Sequence, residues 1–194
     1  MKNKLILTSY GLTTKVGRKL IREAFDGNDL TDKKIFLFHE PHYSIEQMLV
    51  QACLYLGFKK ENIILSGWQK SSQEVLDCDI YYCTEGNTFE VLSLLRERGL
   101  DHVIKAGFKN GNKIYIGASA GAAIAGVNIE HVIDFDRNFV RMENFEGLGL
   151  FEGIVIPHYT NTELECYINH SPEVAEKYSK ILSVSNEESV VLEV

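Results

Sequence analysis

A serine between two glycines, a histidine after an apolar run and a few carboxylates are the residues of this chain whose types and spacing could do chemistry. Ile114-Tyr115-Ile116-Gly117-Ala118-Ser119-Ala120-Gly121-Ala122-Ala123-Ile124-Ala125 joins a short apolar run to G-x-S-x-G and then to small, helix-compatible residues. Strand, tight turn and helix is the setting that a nucleophile elbow needs. Glycines flank the serine where a sharp turn leaves no room for a Cβ atom. Ser119 is then expected at the carboxyl end of a strand and the amino end of a helix. There its Oγ is exposed, and free N–H groups and the helix dipole favour developing negative charge. A Gly/Ala-rich loop packed on a sheet, or cradling a phosphate, would share this local pattern.

A serine is a weak nucleophile without a base in reach and donors for the oxyanion. Of the six histidines, His158 follows the apolar Ile154-Val155-Ile156 and is expected at the same sheet edge as Ser119; a locally bonded loop histidine is the alternative. His39, His42, His102, His131 and His170 have no comparable pairing, and His39-x-x-His42 lacks a third ligand, so no metal is expected. A carboxylate could hold the tautomer of the imidazole. Asp134, Asp136, Glu187 and Glu188 are the candidates, and spacing does not separate them. In Gly86-Asn87-Thr88-Phe89 the glycine would let a backbone N–H approach a substrate oxygen, while Asn87-Thr88 can cap the next helix. A strand-to-helix turn with no further role accounts for that stretch equally well.

The elements that must position these groups alternate along the chain. Strands are expected at Leu5 to Ser9, Lys34 to Phe38, Asn62 to Leu65, Asp79 to Cys83, Ile114 to Ile116 and Ile154 to Ile156. Helical spacing falls at Lys15 to Phe25, Ser44 to Leu56, Ser71 to Leu76, Thr88 to Arg98 and Asp101 to Phe108. A further helix is expected over Ser171 to Ile181, with Ser171 as cap and Pro172 in its first turn. Val127 to Gly149 has no assignable pattern, and the tail offers two β-like pieces, Leu182 to Val184 and Val190 to Leu192. Continuous apolar strands between helices of about three turns predict an α/β fold: a doubly wound, mainly parallel sheet with helices on both faces. Ligands gather at the carboxyl ends of such strands, which directs attention to the loops carrying His39, Gly86 and Ser119.

Bulk properties narrow the partners. The 194 residues suit one domain, over residues 1–194, with a full core. A net charge of −7 with no basic cluster argues against nucleic acid and anionic membrane surfaces. The opening Leu5-Ile6-Leu7-Thr8 is too short for a signal sequence, and no stretch reaches transmembrane length. The four cysteines show neither paired nor metal-type spacing, which points to reduced thiols in a cytoplasmic protein.

Taken together, Gly86-Asn87-Thr88-Phe89, Tyr115 to Ala122 and Ile156-Pro157-His158-Tyr159-Thr160-Asn161 resemble peptidase E, the aspartyl dipeptidase family of serine peptidases, over nearly the whole chain. The resemblance implies a class I glutamine-amidotransferase-like fold, Ser119 as nucleophile, His158 as base and an oxyanion hole from the N–H groups of Gly86 and Ala120. It aligns the family's aspartate, fifteen positions past the nucleophile, with Asp134, and a late glutamate with Glu187 or Glu188; which acid supports the histidine stays open. Asn87, Thr88 and Tyr159 are the expected substrate contacts. The implied substrate is a small peptide, with no cofactor, and a homodimer is the assembly considered. Two departures stand out. Thr84-Glu85-Gly86 replaces the family's glycine run, adding a carboxylate that would repel an acidic substrate if it faced the site. The family binds its substrate aspartate with an arginine beyond the histidine, and Thr162 to Glu188 contains none, only Lys177 and Lys180 as cations. Lysine does not reproduce bidentate carboxylate recognition, and Arg137 or Arg141, from the other side, could substitute for the missing arginine. The catalytic residues carry over from the resemblance and the aspartyl specificity does not; another hydrolase of the same fold, or a non-catalytic binding relative, are the alternatives.

Overall fold

The computed structural model describes residues 2–39, 43–67, 71–159, 176–178 and 180–194. His42, Thr160, Asn161, Cys166 and His170 lie outside them, as do residues 171–175 and 179 of the helix expected over Ser171 to Ile181; of the rest, 176 and 177 are helical, and Ile181 opens a strand instead.

Strand residues alternate between two cores. Five strands run parallel: β1 (Lys4–Thr8), β2 (Ile35–Phe38), β3 (Ile63–Leu65), β4 (Ile80–Cys83) and β5 (Ile114–Ala118). Leu5, Leu7, Phe36, Phe38, Tyr81, Cys83 and Tyr115 face one side, and pack with Val75 of α3 (Ser72–Leu76), Phe89, Leu92 and Leu95 of α4 (Thr88–Glu97) and Ile104 and Phe108 of α5 (Leu100–Lys109). Ile6, Ile35, Leu37, Ile80, Tyr82 and Ile116 face the other, against Ile21 and Ala24 of α1 (Lys15–Ala24) and Leu49, Ala52 and Cys53 of α2 (Tyr43–Leu56). Both faces are covered, so the strands read as unbroken apolar runs and the fold is the doubly wound α/β arrangement that the pattern predicts. Burial of the thiols of Cys53, Cys78 and Cys83 pushes each up to about 12, which keeps them protonated.

The sheet order is β3-β2-β4-β5-β1, with a sixth strand, numbered β8 (Ser189–Glu193) in chain order, antiparallel on the outer side of β1. That strand takes the edge next to β1, so the apolar run leading to His158 cannot join the main sheet. Instead β6 (Ile154–Tyr159) pairs in parallel with β7 (Ile181–Ser185) as a separate two-stranded sheet. The expectation that His158 shares the sheet edge of Ser119 is corrected in this respect. The turn from β7 to β8 passes from the small sheet to the large one and carries Asn186, Glu187 and Glu188.

The unassigned stretch from Val127 to Gly149 has little regular structure, which explains its missing periodicity. A 3-10 turn spans Glu130–Asp134, and Arg96 ties the rest down through the carbonyls of Asn144 (2.7 Å) and Glu146 (2.6 Å). Among the described residues no helix is long and apolar enough to cross a membrane.

Candidate active site

Ser119 sits between the end of β5 and α6 (Ala120–Ala123), with φ 49° and ψ −110°. A non-glycine residue held there costs about 1–3 kcal/mol and persists only where its surroundings fix it. They do so here: the Ser119 N–H donates to Thr8 O of β1 at 2.9 Å, and the Gly121 N–H to Thr84 O beyond β4 at 3.0 Å. Both glycines of G-x-S-x-G are demanded by close approach. A Cβ on Gly117 would lie 2.5 Å from Gly121 O, and one on Gly121 would lie 2.2 Å from Cys83 O. The helix that follows is a single turn of four residues, so its dipole is small and local N–H groups must do what the dipole was expected to do.

His158 approaches from the carboxyl end of β6, where a register shift after Ile156 turns the backbone to φ 57°. Its Nε2 lies 2.9 Å from Ser119 Oγ, and its Nδ1 lies 2.9 Å from Asn186 Oδ1. An amide oxygen only accepts, so Nδ1 carries the proton and Nε2 presents its lone pair to the serine hydroxyl. Ser9 locks the backbone: its hydroxyl accepts from the His158 N–H at 2.8 Å and donates to Val184 O of β7 at 2.9 Å. The Tyr10 ring stands edge-on to the imidazole, centroids 5.5 Å apart.

The place sought for a carboxylate belongs to an amide. Asp134 ends the 3-10 turn, exposed, and its charge is felt by buried His131. Glu187 is exposed on the β7–β8 turn, its N–H donating to Ser185 Oγ at 3.3 Å, and Glu188 beside it is exposed too. Asn186, one residue before Glu187, faces Nδ1 instead. Asn186 is not among the acids expected at this place, but its neutral amide oxygen also accepts the Nδ1 proton.

Gly86 follows β4 with φ 146°, a conformation open to glycine. Among the described residues, the N–H groups of Gly86 and Ala120 donate to no acceptor. Asn87 is engaged structurally: its Oδ1 caps α4 by accepting from Phe89 N (3.1 Å) and Glu90 N (3.2 Å), and its Nδ2 donates to Arg137 O (2.9 Å). Thr88 donates through its N–H (2.8 Å) and hydroxyl (2.7 Å) to Asp136 Oδ2. Tyr159 ends β6 half-buried and is not among the described residues lining the hollow beside Ser119. Glu85 turns toward the β1–α1 loop, accepting from Gly11 N at 2.7 Å and from the Thr13 hydroxyl. Burial pushes its carboxyl up, against the Gly11 hydrogen bond and the field of His158, which pull it down. It therefore braces the loop that brings Ser9 and Tyr10 to the histidine.

The model of peptidase family S51 matches residues 42–193. The chain belongs to peptidase family S51. It is 34% identical to an uncharacterized peptidase of Listeria monocytogenes over 59% of this chain and 56% of that one. To peptidase E of Citrobacter koseri it is 36% identical over 61% of this chain and 49% of that one. The matches therefore span about half the length of these relatives. A crystal structure from Listeria monocytogenes, described as a candidate peptidase E, superposes over the full length of both chains with a TM-score of 0.69 at 26% identity. A peptidase from an acI-B1 actinobacterium shares the fold, with a TM-score of 0.67 at 19% identity.

In this S51 chain the hollow beside Ser119 and His158 measures about 110 Å³ and is completed by Gly86, Thr88, Ala123, His131, Val132, Phe135, Asp136, Ile156 and Pro157. That is well below the roughly 300–1,000 Å³ of sites for drug-sized ligands and suits a single short side chain. Broader hollows of about 930 and 760 Å³ contain none of these residues. His131 is buried in the wall, its Nε2 3.0 Å from Val155 O, and burial pushes it down to about 4.

Proposed function

We propose that this chain is a serine peptidase that hydrolyses short peptides. The observation that carries the reading is the relay from Ser119 Oγ through His158 to Asn186, both contacts at 2.9 Å. Ser119 Oγ attacks the peptide carbonyl as its proton passes to His158 Nε2. The N–H groups of Gly86 and Ala120 hold the oxyanion, and the loss of either donor would lower kcat about 10²–10³-fold. The C–N bond breaks as Nε2 returns the proton to the leaving amine. A water deprotonated by Nε2 then attacks the acyl carbonyl, and the Oγ–acyl bond breaks as Nε2 passes that proton back to Ser119 Oγ. Asn186 keeps the proton on Nδ1 throughout, and needs no charge to do so.

Hydrolysis of a dipeptide panel by the protein and by Ser119→Ala tests this. Cleavage that disappears in the variant is expected. Turnover of esters or other amides with no peptide cleaved would move the chain to a different hydrolase activity, and turnover that survives the substitution would refute the mechanism.

A further inference from the structure

Among the described residues, those lining the hollow beside Ser119 include one carboxylate and no ammonium or guanidinium. Asp136 forms part of its wall, half-buried, with Oδ2 oriented by the N–H and hydroxyl of Thr88. Ala123, Val132, Phe135 and Ile156 make the rest of the wall apolar. Neither Arg137 nor Arg141 is among the described residues that line the hollow, and the lysines beyond His158 pair with carboxylates. Lys177 pairs with Glu130 at 2.7 Å and Lys180 with Glu152 at 2.8 Å. The Arg137 guanidinium lies over the Phe139 ring, 5.7 Å from its centroid. His131, held neutral by burial, supplies no positive charge near neutral pH. A substrate carboxylate in this hollow would meet Asp136 with no cation among the described lining residues to offset the repulsion, whereas an ammonium there would meet an opposite charge.

Resting on the reading of Ser119 as the nucleophile, we propose that Asp136 receives the α-ammonium of the substrate's first residue and selects short peptides with a free amino terminus and a small, uncharged first side chain. Alanine fits the 110 Å³ available. Aspartate is disfavoured by charge, phenylalanine by size, and an acetylated terminus has no cation to offer.

Binding of Ala-Leu, Asp-Leu and N-acetyl-Ala-Leu to Ser119→Ala, measured calorimetrically, reads the hollow apart from the chemistry. Ala-Leu should bind about ten-fold or more tightly than the other two. Asp-Leu or the acetylated peptide binding as tightly, or none of the three binding, would overturn the proposal. In the active protein, Asp136→Asn should lower kcat/KM for Ala-Leu about ten-fold, mainly through KM, and narrow its advantage over Asp-Leu; an unchanged ratio would count against Asp136 as the determinant. Selective binding of Ala-Leu without Ser119-dependent turnover would uphold the hollow's selectivity and reject the peptidase reading instead.

Discussion

At the scale of single residues, the amide of Asn186 sets the electrostatics of the relay. A carboxylate at Nδ1 would both fix the tautomer and stabilise the imidazolium, whereas an amide fixes the tautomer alone. Asn186→Ala should therefore lower kcat about 10²-fold, through a misplaced imidazole, with KM little changed. Asn186→Asp should retain turnover and move the acid limb of the kcat/KM profile to higher pH. The added negative charge favours protonated His158, and the base works only when deprotonated. Equal losses in both variants, with unshifted pH profiles, would show that Asn186 only supports the fold. The sequence singles out Ser119 and His158 because a turn glycine and a post-strand position are local signals. Which residue meets Nδ1 depends on how the β7–β8 turn crosses between two sheets, and neighbours in a turn differ by which way they face. Asn186 and Glu187 are adjacent in the chain, yet only Asn186 faces the ring.

At the scale of elements, the elbow is held by backbone packed on backbone. Gly121→Ala would set a Cβ 2.2 Å from Cys83 O, a β4 carbonyl that cannot swing aside. A loss of about 1–3 kcal/mol in urea unfolding is expected, and a neutral substitution would mean that the elbow can move away from β4. Ser9 links the two sheets through Val184 O and His158 N. Ser9→Ala strands that N–H beside a strained residue, and should cost about 1–3 kcal/mol together with a fall in kcat; stability and kcat both at the wild-type level would remove Ser9 from the account. Strands β1 to β5 were legible because burial on both faces makes each an apolar run. The partner of β6 was not, because an apolar run carries no record of which sheet it joins. The antiparallel β8 decides that by occupying the edge of β1.

At the scale of the whole molecule, one buried histidine ties stability to pH. His131 falls from 6.5 to about 4 on folding, so between these values the unfolded chain binds more protons than the folded one. Its contribution is fully present above about pH 6.5 and is lost as the pH falls toward 4, about 3 kcal/mol in all for a group titrating alone. Urea unfolding across this window should be steeper in pH for the wild type than for His131→Gln; identical slopes would place the acid sensitivity elsewhere. Ser119 and His158 sit at the carboxyl ends of β5 and β6, and the carboxyl ends of strands are where doubly wound sheets keep their ligands.

Reaction with a fluorophosphonate, the adduct located by mass spectrometry, tests the central claim most directly, because that reagent reports an activated serine whatever the preferred substrate. A single adduct on Ser119 is expected, absent in Ser119→Ala and slowed by at least about 10²-fold in His158→Ala. An unlabelled Ser119 in the folded protein, or labelling that does not depend on His158, would contradict the account.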